Sequence, residues 1–405
     1  MPMPEDVQPS PSAETLRAAM VEKLREQGAI RTREVERAFR TVPRHIFAPE
    51  ASLEEAYALR AVVTKRDEHG IATSSVSDPH IQAVMLEQAR LRIGQKVLEL
   101  GSGGYKAALM AELVGADGTV VTVDIDPFVT DRASRFLQQA GYWRVVVRHG
   151  DAENGAKEDG PYDHVMVTFG AWDIPPAWTQ QLADGGILTV PLRINGLTRS
   201  IAFQRESDRL VSRSSAVCGF VAAQGAGAHE ERLLLLRGKE VGLRFDDGLV
   251  ADPGPLAGVL DTSRAETWSA VEVGRDEPFD LLPFWLATTT PTGFCLLSVD
   301  PDLDTGAVQP SNRMACPTVI DGDSLAHLAL RKISDDRWEF GAHGYGPRAT
   351  ALAERLAEQV KTWDHAHRHG PGPRITVSPA GTPDDQLPPG TVIDKAHTRL
   401  TVSWA

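Results

Sequence analysis

The sequence predicts an α/β protein in which an open, doubly wound, Rossmann-like sheet is followed by an α+β accessory region. From Lys96 onward, short buried strands alternate with amphipathic helices. A glycine turn follows the first of these strands, and an acidic residue ends the second. A strand–helix–strand series gives parallel strands joined by right-handed crossovers, which is the basis of the fold prediction.

The bulk composition limits the function classes. At about 150 residues per domain, 405 residues predict at least two domains. A formal net charge of -13 disfavours nucleic-acid binding, which depends on clustered Lys and Arg.

The three cysteines form no CxxC pair, so we expect neither a disulfide framework nor a zinc knuckle, and a reducing cytoplasm is the simplest setting. No secretory signal or run of about 18 apolar residues is evident, so we expect no membrane partner, and nothing in the sequence indicates an oligomeric state.

The N-terminal third predicts mainly helices. Residues 1–12 are expected to be flexible, Ala13 to Gln27 and Thr32 to Arg40 to be helical, and the VPRHIFAPE segment to form turns. After a less regular stretch, Pro79 suits the first turn of a helix whose apolar face carries Ile81 and Met85.

The sheet is assigned in chain order. The predicted strands are KVLEL, TVVTVDID, RVVVRHGD, YDHVMVTFG, and ILTVPL with SIAFQR, and the predicted helices are KAALMAELVG and PFVTDRASRFLQQAG. A Gly/Ala-rich stretch, GFVAAQGAGAHEE, then indicates a linker or last loop, which divides the chain into domains 13–228 and 229–405. For the second domain we predict the strands EVGLRF, PFWLATTT, GFCLLSVD, WEFGAHG and RLTVSW and a helix over Arg348 to Thr362.

The glycine turn is the most informative feature for function. Gly101, Gly103 and Gly104 permit a tight turn that a ligand can approach closely, and Asp124 is placed to bond ribose hydroxyls. The GxGxxG spacing of dinucleotide sites is absent. Glu99 and Asp151 favour S-adenosyl-L-methionine instead, with S-adenosyl-L-homocysteine as product, although Asp124 and Asp151 also suit surface turns. The predicted cofactor-binding residues are Glu99, Gly101, Ser102, Gly103, Gly104, Tyr105, Asp124, Ile125, Asp151 and Ala152.

Eight motifs in order resemble the protein-L-isoaspartate O-methyltransferases. They are VPRHIFAPE, Ala56–Tyr57, SVSDP, VLELGSGGY, VVTVDID, HGDAENG, YDHVMVTFG and LADGGILTVPL. The resemblance spans roughly Ala13 to Gln224 and implies a class I S-adenosylmethionine-dependent methyltransferase domain. Two departures stand out: GSGGY is one residue shorter than the usual GxGxGY, and SVSDP replaces TxSxP.

The second half is similar to longer relatives associated with lanthipeptide systems that have an FxLD precursor, through FWLATTTPTGF and LPPGTVIDKAHTRLTVSW. This resemblance implies esterification of an aspartate in a cyclised ribosomal peptide, leading to aspartimide or isoaspartate, with 229–405 recognising the peptide. The alternatives are a general isoaspartate repair enzyme and an inactive peptide-binding module. Because repair enzymes manage with the first domain, the additional domain favours a dedicated substrate.

The resemblance also implies the substrate site. Ser77 would hydrogen-bond the substrate carboxylate, with Ser75, Val76, Pro79 and His80 as substrate-binding residues. Ser77 alternatively caps the following helix.

Carboxylates are ionised at neutral pH, so methyl transfer needs orientation more than acid–base catalysis, and we expect no His/Asp catalytic pair. We expect no metal at His365, His367 and His369, and Trp172 and Trp178 either touch substrate or pack.

Overall fold

The computed structural model describes residues 11–246, 254–290 and 293–404. Most of the segment predicted to be flexible, residues 1–10, therefore lies outside the described residues. The chain divides into two compact units, Met1–Leu192 with Arg199–Ala228 and Arg193–Thr198 with His229–Ala405.

The first unit begins with the predicted helices. They are α1 (Ala13–Glu26) and α2 (Arg33–Thr41), and they are followed by a short helix that was not predicted, α3 (Leu53–Ala56). The side chains of Ser12 and Thr32 cap α1 and α2 by accepting backbone N–H bonds. The stretch that the sequence left irregular contains an antiparallel hairpin of β1 (Val62–Arg66) and β2 (Ala72–Val76), and α4 (Pro79–Ala89) follows.

The main sheet of this unit confirms the doubly wound prediction. Its elements are β3 (Lys96–Leu100), α5 (Tyr105–Val114), β4 (Thr119–Asp124), α6 (Pro127–Gln139), β5 (Val146–His149), β6 (Tyr162–Val167), α7 (Pro176–Gln181), β7 (Leu182–Ile194), β8 (Leu197–Glu206) and β9 (Arg209–Val217). The strand order is β5-β4-β3-β6-β7-β8-β9, and neighbouring strands from β5 to β7 are parallel. The crevice of such a sheet opens at the carboxyl ends of its strands, where the order reverses beside β3.

One part of the predicted strand series is wrong. SIAFQR does not continue the parallel series but lies in β8, which pairs antiparallel with β9. The turn before β8 contains Asn195 and Gly196, both with positive φ, which favours a hairpin rather than a crossover helix.

Burial explains why these segments form this sheet. Val97, Leu98 and Leu100 of β3 are fully buried, as is almost every residue of α5. Parallel strands are covered on both faces, so they are apolar throughout instead of alternating. The short KVLEL run therefore reads correctly as a central strand.

The second unit contains an antiparallel sheet with the strand order β10-β11-β13-β14-β15-β16-β12. Its elements are β10 (Arg232–Arg237), β11 (Val241–Phe245), β12 (Ala265–Gly274), α8 (Leu281–Thr289), β13 (Phe294–Val299), β14 (Cys316–Asp321), β15 (Ser324–Ser334), β16 (Arg337–Tyr345) and α9 (Ala349–Ala366). Leu352, Leu356, Val360 and Trp363 of α9 belong to the same buried core as the sheet.

The prediction of a strand at PFWLATTT is wrong, because this segment forms α8. Aromatic and Thr residues favour strands, but Phe284, Trp285, Leu286 and Ala287 are all buried, as in a helix surrounded by protein. The predicted strands EVGLRF, GFCLLSVD and WEFGAHG and the helix after Arg348 are confirmed.

The C-terminal segment of the second unit adds β17 (Arg374–Pro379), β18 (Thr391–Asp394) and β19 (Thr398–Ser403), with β19 pairing antiparallel with both others. The strand predicted at RLTVSW is confirmed. Among the described residues, no helix has the length and apolar character needed to cross a membrane.

Candidate active site

A cavity of about 540 Å³ opens at the carboxyl ends of the central parallel strands of the first unit. Its size lies within the roughly 300–1,000 Å³ typical of small-molecule sites. The lining comes mainly from the β1–β2 hairpin with the start of α4, from the ends of β3, β4 and β6, and from a segment after β9. The lining residues include Thr73, Ser75, Val76, Ser77, Asp78, Gln82, Glu99, Gly101, Ser102, Gly103, Tyr105, Lys106, Asp124, Ile125, Ala152, Thr168, Phe220, Val221 and Gln224.

The glycine turn after β3 is held by Asp124. Gly101 has a φ of 91°, a conformation that favours glycine, and a Cβ there would lie 2.6 Å from the Thr168 hydroxyl oxygen. The backbone N–H of Ser102 donates to one carboxylate oxygen of Asp124 at 2.8 Å, and that of Asp126 donates to the other at 2.9 Å. Burial raises the pKa of Asp124 above its ordinary value. The shortened loop therefore still forms a tight turn next to a buried carboxylate.

The residues around this turn fit an adenosine-containing cofactor. The hydroxyl oxygens of Ser102 and Thr73 are buried, and neither has a hydrogen-bond partner in the described chain. A buried polar atom without a partner is costly unless a ligand satisfies it. Gly103 leaves the cavity wall open, since the one atom near a Cβ there is the Ser75 carbonyl oxygen at 3.6 Å. These residues, with Asp124, would hold the cofactor.

The structure rules out the alternative that Ser77 caps α4. The N-cap of α4 is Asp78, whose carboxylate accepts the backbone N–H of His80 at 2.7 Å. Ser77 lies one residue earlier, is half-buried and lines the cavity. Its hydroxyl is consequently available to a ligand.

This division of roles between Ser77 and Asp78 makes a stability prediction. Replacing Asp78 with Ala should lower the free energy of unfolding by about 1 kcal/mol, because the N-terminal amides of α4 lose their cap. Asp78→Ser, which keeps a capping oxygen, should recover most of that loss. Urea denaturation of the two variants checks this expectation, and an Asp78→Ala protein as stable as the wild type would contradict it.

A buried arginine holds the strand end that carries Ser75 and Ser77. The guanidinium of Arg44 donates to the carbonyl oxygens of Val76 at 3.2 Å and Ala56 at 2.7 Å. Arg44 is fully buried, and burial lowers its pKa below the ordinary value. The contact with the Val76 carbonyl fixes the backbone between the two half-buried serines.

Not all predicted site residues line the cavity. Ser75, Val76, Ser77, Glu99, Gly101, Ser102, Gly103, Tyr105, Asp124, Ile125 and Ala152 line it, whereas Pro79, His80, Gly104 and Asp151 are absent from its wall. A ring nitrogen of His80 lies 3.0 Å from the Gln27 side-chain oxygen. The Asp151 carboxylate accepts the N–H groups of Glu153 and Ala226, each at 2.9 Å. A contact of Asp151 with adenine stays a prediction.

Glu99 lies inside the cavity wall and is almost inaccessible to solvent. Its carboxylate accepts the Thr122 hydroxyl at 2.6 Å. Burial raises the pKa of Glu99 to about 7, and this rise is opposed by the Thr122 hydrogen bond and the nearby Lys106. Sequence reasoning missed Lys106, although a lysine in the first turn of an otherwise apolar helix is a detectable signal.

Sequence reasoning also missed the segment that closes one side of the cavity, Gly219 to Gln224. The backbone N–H of Gly170 donates to the Val221 carbonyl at 2.7 Å, and the N–H of Ala223 donates back to Gly170 at 3.1 Å. The Gln224 side chain reaches the Thr73 carbonyl at 3.3 Å. The segment interpreted as a linker or last loop is therefore part of the site.

The structure also gives the surroundings of Trp178 and His367. Trp178 is buried and donates its ring N–H to the Ala152 carbonyl at 2.7 Å, so it packs behind the cavity rather than in it. The His367 ring lies with its centroid 4.4 Å from that of Trp285. Among the described residues, no three His, Cys, Asp or Glu side chains are grouped to hold a metal ion.

The family model and the similar proteins described here all point to the same enzyme family. Residues 15–227 match the model of the protein-L-isoaspartate (D-aspartate) O-methyltransferase family. The protein-L-isoaspartate O-methyltransferase of Methanopyrus kandleri is 36% identical over 218 residues, covering 53% of this chain and 94% of that protein. The enzyme of the same name from Ignicoccus hospitalis is 40% identical over 174 residues, covering 43% of this chain and 80% of that one.

A solved structure of a protein-L-isoaspartate O-methyltransferase extends the likeness in fold. It aligns with a TM-score of 0.50 at 20% identity, over 89% of this chain and 96% of its own. At that identity the likeness concerns the fold alone. The aligned part of this chain is longer than the segment that the family model matches.

Proposed function

Because this chain belongs to the protein-L-isoaspartate O-methyltransferase family and is an S-adenosylmethionine-dependent carboxyl methyltransferase, we propose that it esterifies an aspartate in a cyclised ribosomal peptide. The observation that carries the chemistry is a single cavity lined by both Ser77 and the glycine turn held by Asp124. The choice of a lanthipeptide-like substrate is supported by the resemblance of the second half.

The residues divide the work of methyl transfer between binding and orientation. S-adenosylmethionine supplies an electrophilic methyl group on a sulfonium. Ser77 would donate a hydrogen bond to the substrate carboxylate, and Ser75 lies two residues earlier on the same cavity wall. Arg44 keeps that wall in place through the Val76 carbonyl. Orientation of a reactive pair contributes several kcal/mol, so this arrangement needs no general base.

Once the aspartyl ester has formed, the next step belongs to the peptide itself. The backbone amide nitrogen of the following residue attacks the ester carbonyl, loses its proton and expels methanol, which leaves an aspartimide. Hydrolysis of the imide adds water and gives isoaspartate or aspartate. A ring that already bends the peptide favours this closure, and this suits a cyclised substrate.

The main alternative is general repair of isoaspartyl residues, which the family and its relatives support equally. An inactive binding module is disfavoured by the intact turn, in which Asp124 still accepts two backbone N–H bonds despite the shorter loop. Cys295 and Cys316 are buried free thiols, which supports a cytoplasmic location as part of the proposal.

Mass spectrometry of the full chain tests the proposal. Incubation with S-adenosylmethionine and a cyclised aspartyl peptide should add one methyl group and then release methanol, for a net loss of one water. An uncyclised peptide of the same sequence and an isoaspartyl peptide are the matched controls. Faster methylation of the isoaspartyl peptide would replace the proposal with the repair function, and absence of any methylation would favour the binding module.

A further inference from the structure

Lys106 is a buried cation in the cavity wall that the fold leaves without a strong partner. Its side chain is 3% exposed, and its ammonium donates at 3.1 Å to the thioether sulfur of Met85, a weak acceptor. The ring centroid of Phe220 lies 6.0 Å away. Within the described chain, the nearby carboxylate of Glu99 acts on this ammonium through its charge and not through a hydrogen bond.

Two other buried cations of the same unit are satisfied differently. Arg44 donates to three carbonyl oxygens and to the side-chain oxygen of Gln82. Arg132 contacts the Glu50 carboxylate and the Phe47 carbonyl. A buried charge without such partners is strongly destabilising, so Lys106 is an exception that calls for an external partner.

The position of Lys106 on its helix increases this cost. It is the second residue of α5, where the unpaired backbone N–H groups carry partial positive charge. Burial lowers the pKa of Lys106 to about 8, and the negative charge of Glu99 opposes this shift only in part. Glu99 is itself committed to the Thr122 hydroxyl, so it compensates the ammonium from a distance only.

We propose that the ammonium of Lys106 binds the carboxylate of the peptide substrate and so selects for it. Lys106 and Ser77 line the same cavity, and Met85, the contact of Lys106, lies on α4, the helix that begins two residues after Ser77. The inference rests on the proposed function only in that the substrate presents a carboxylate, as a repair substrate also does.

A cation at this place has a consequence for the reaction. The carboxylate loses its negative charge as it becomes a methyl ester, so its attraction to Lys106 is stronger before the reaction than after it. Such an interaction lowers KM without raising kcat, and it favours release of the neutral product.

The test uses two substitutions of Lys106 by side chains of similar length. Lys106→Met removes the charge, and Lys106→Arg keeps it. The probes are an aspartyl or isoaspartyl peptide, whichever the wild type methylates, and the same peptide with that carboxylate replaced by a carboxamide. Calorimetry measures the Kd of each peptide for the complex with S-adenosyl-L-homocysteine, and steady-state kinetics measure KM and kcat.

We expect the wild type to prefer the carboxylate peptide at least about tenfold, as one charge-assisted hydrogen bond of about 1.5–3 kcal/mol gives. Lys106→Met should reduce that preference to less than about threefold and raise KM, with kcat and the Kd of S-adenosyl-L-homocysteine little changed. Lys106→Arg should retain part of the preference. Melting temperatures of both variants are measured alongside, because Lys106→Met leaves Glu99 without its counter-charge whereas Lys106→Arg keeps it.

Two results would overturn the inference. If Lys106→Met weakens S-adenosyl-L-homocysteine but keeps the peptide preference, the bound carboxylate is that of the cofactor. If neither changes, Lys106 serves only as a distant counter-charge to Glu99. Failure of the proposed function is separate, because it shows in which peptide the wild type methylates and not in the ratio between variant and wild type.

The dependence on pH gives a second readout. The peptide carboxylate is ionised throughout the neutral and basic range. Two groups of the cavity wall change charge there: Glu99, whose pKa is about 7, and Lys106, whose pKa is about 8. Burial raises the pKa of Cys218 and lowers that of His164, so these two neighbours of Lys106 stay neutral. The part of the affinity that Lys106 supplies should be present below its pKa of about 8 and be lost as pH rises through it, whereas ionisation of Glu99 gives a separate change near pH 7. This basic limb should be absent in Lys106→Met and for the carboxamide peptide, and a limb that persists in the variant would assign it to another group.

Discussion

Ser77→Ala should lower kcat/KM for the methylated peptide by about 100-fold, the usual cost of removing one oriented hydrogen-bond donor from a reacting oxygen. Ser77 lines the cavity, and the cap of α4 is supplied by Asp78. The substitution should therefore change the free energy of unfolding by no more than about 0.5 kcal/mol. Initial rates at several peptide concentrations and urea denaturation give both quantities.

The control for Ser77→Ala is the same change at Ser134, an exposed position on α6. Ser134→Ala should leave kcat/KM unchanged, since it removes a hydroxyl that does not line the cavity. Binding of S-adenosyl-L-homocysteine should be unaltered in both variants. A Ser77→Ala enzyme with wild-type kcat/KM would remove Ser77 from the reaction and leave orientation to Lys106 and Ser75.

Asp124→Ala should weaken binding of S-adenosyl-L-homocysteine by roughly 10- to 150-fold, equivalent to losing about 1.5–3 kcal/mol of charge-assisted hydrogen bonding. The Asp124 carboxylate holds the turn through the N–H groups of Ser102 and Asp126, and it lines the cavity as well. Its loss removes both the predicted ribose contact and the support of the glycine turn. Calorimetric titration of the ligand measures the change directly.

Two companions make the Asp124 result interpretable. Asp124→Asn keeps an acceptor oxygen for one backbone N–H but loses the charge, so it should bind the ligand with intermediate affinity. Asp131→Ala removes an exposed carboxylate on α6 and should bind normally. Equal affinity in Asp124→Ala and the wild type would show that the cofactor does not depend on this end of β4.

The parallel sheet was predictable because its strands are short, apolar and separated by helices. KVLEL and TVVTVD are buried along most of their length. A strand that is buried on both faces consists mainly of apolar residues, and such a run can be recognised in the sequence. PFWLATTT failed because a short apolar run has no period that distinguishes strand from helix. SIAFQR failed because the hairpin before it depends on two positive-φ residues rather than on hydrophobic patterning.

Site residues next to a turn at a strand end could be predicted from the sequence. Site residues that meet only through the packing of distant elements could not. The glycines and Asp124 are adjacent to strand ends, so their meeting was expected from topology. The family resemblance predicted that Ser77 contacts the substrate, and Ser77 lines the same cavity. The contact of Lys106 with Met85 joins residues 21 apart and depends on how α4 lies against α5, which no local pattern records.

The backbone hydrogen bonds of Gly170 with Val221 and Ala223 determine where the chain can be truncated without losing part of the cavity. The last strand of the first unit ends at Val217, and a cut there looks natural. It would discard Phe220, Val221 and Gln224, and with them one wall of the cavity and its backbone ladder. A catalytic fragment prepared for ligand titration or crystallisation must therefore retain the stretch through Ala228.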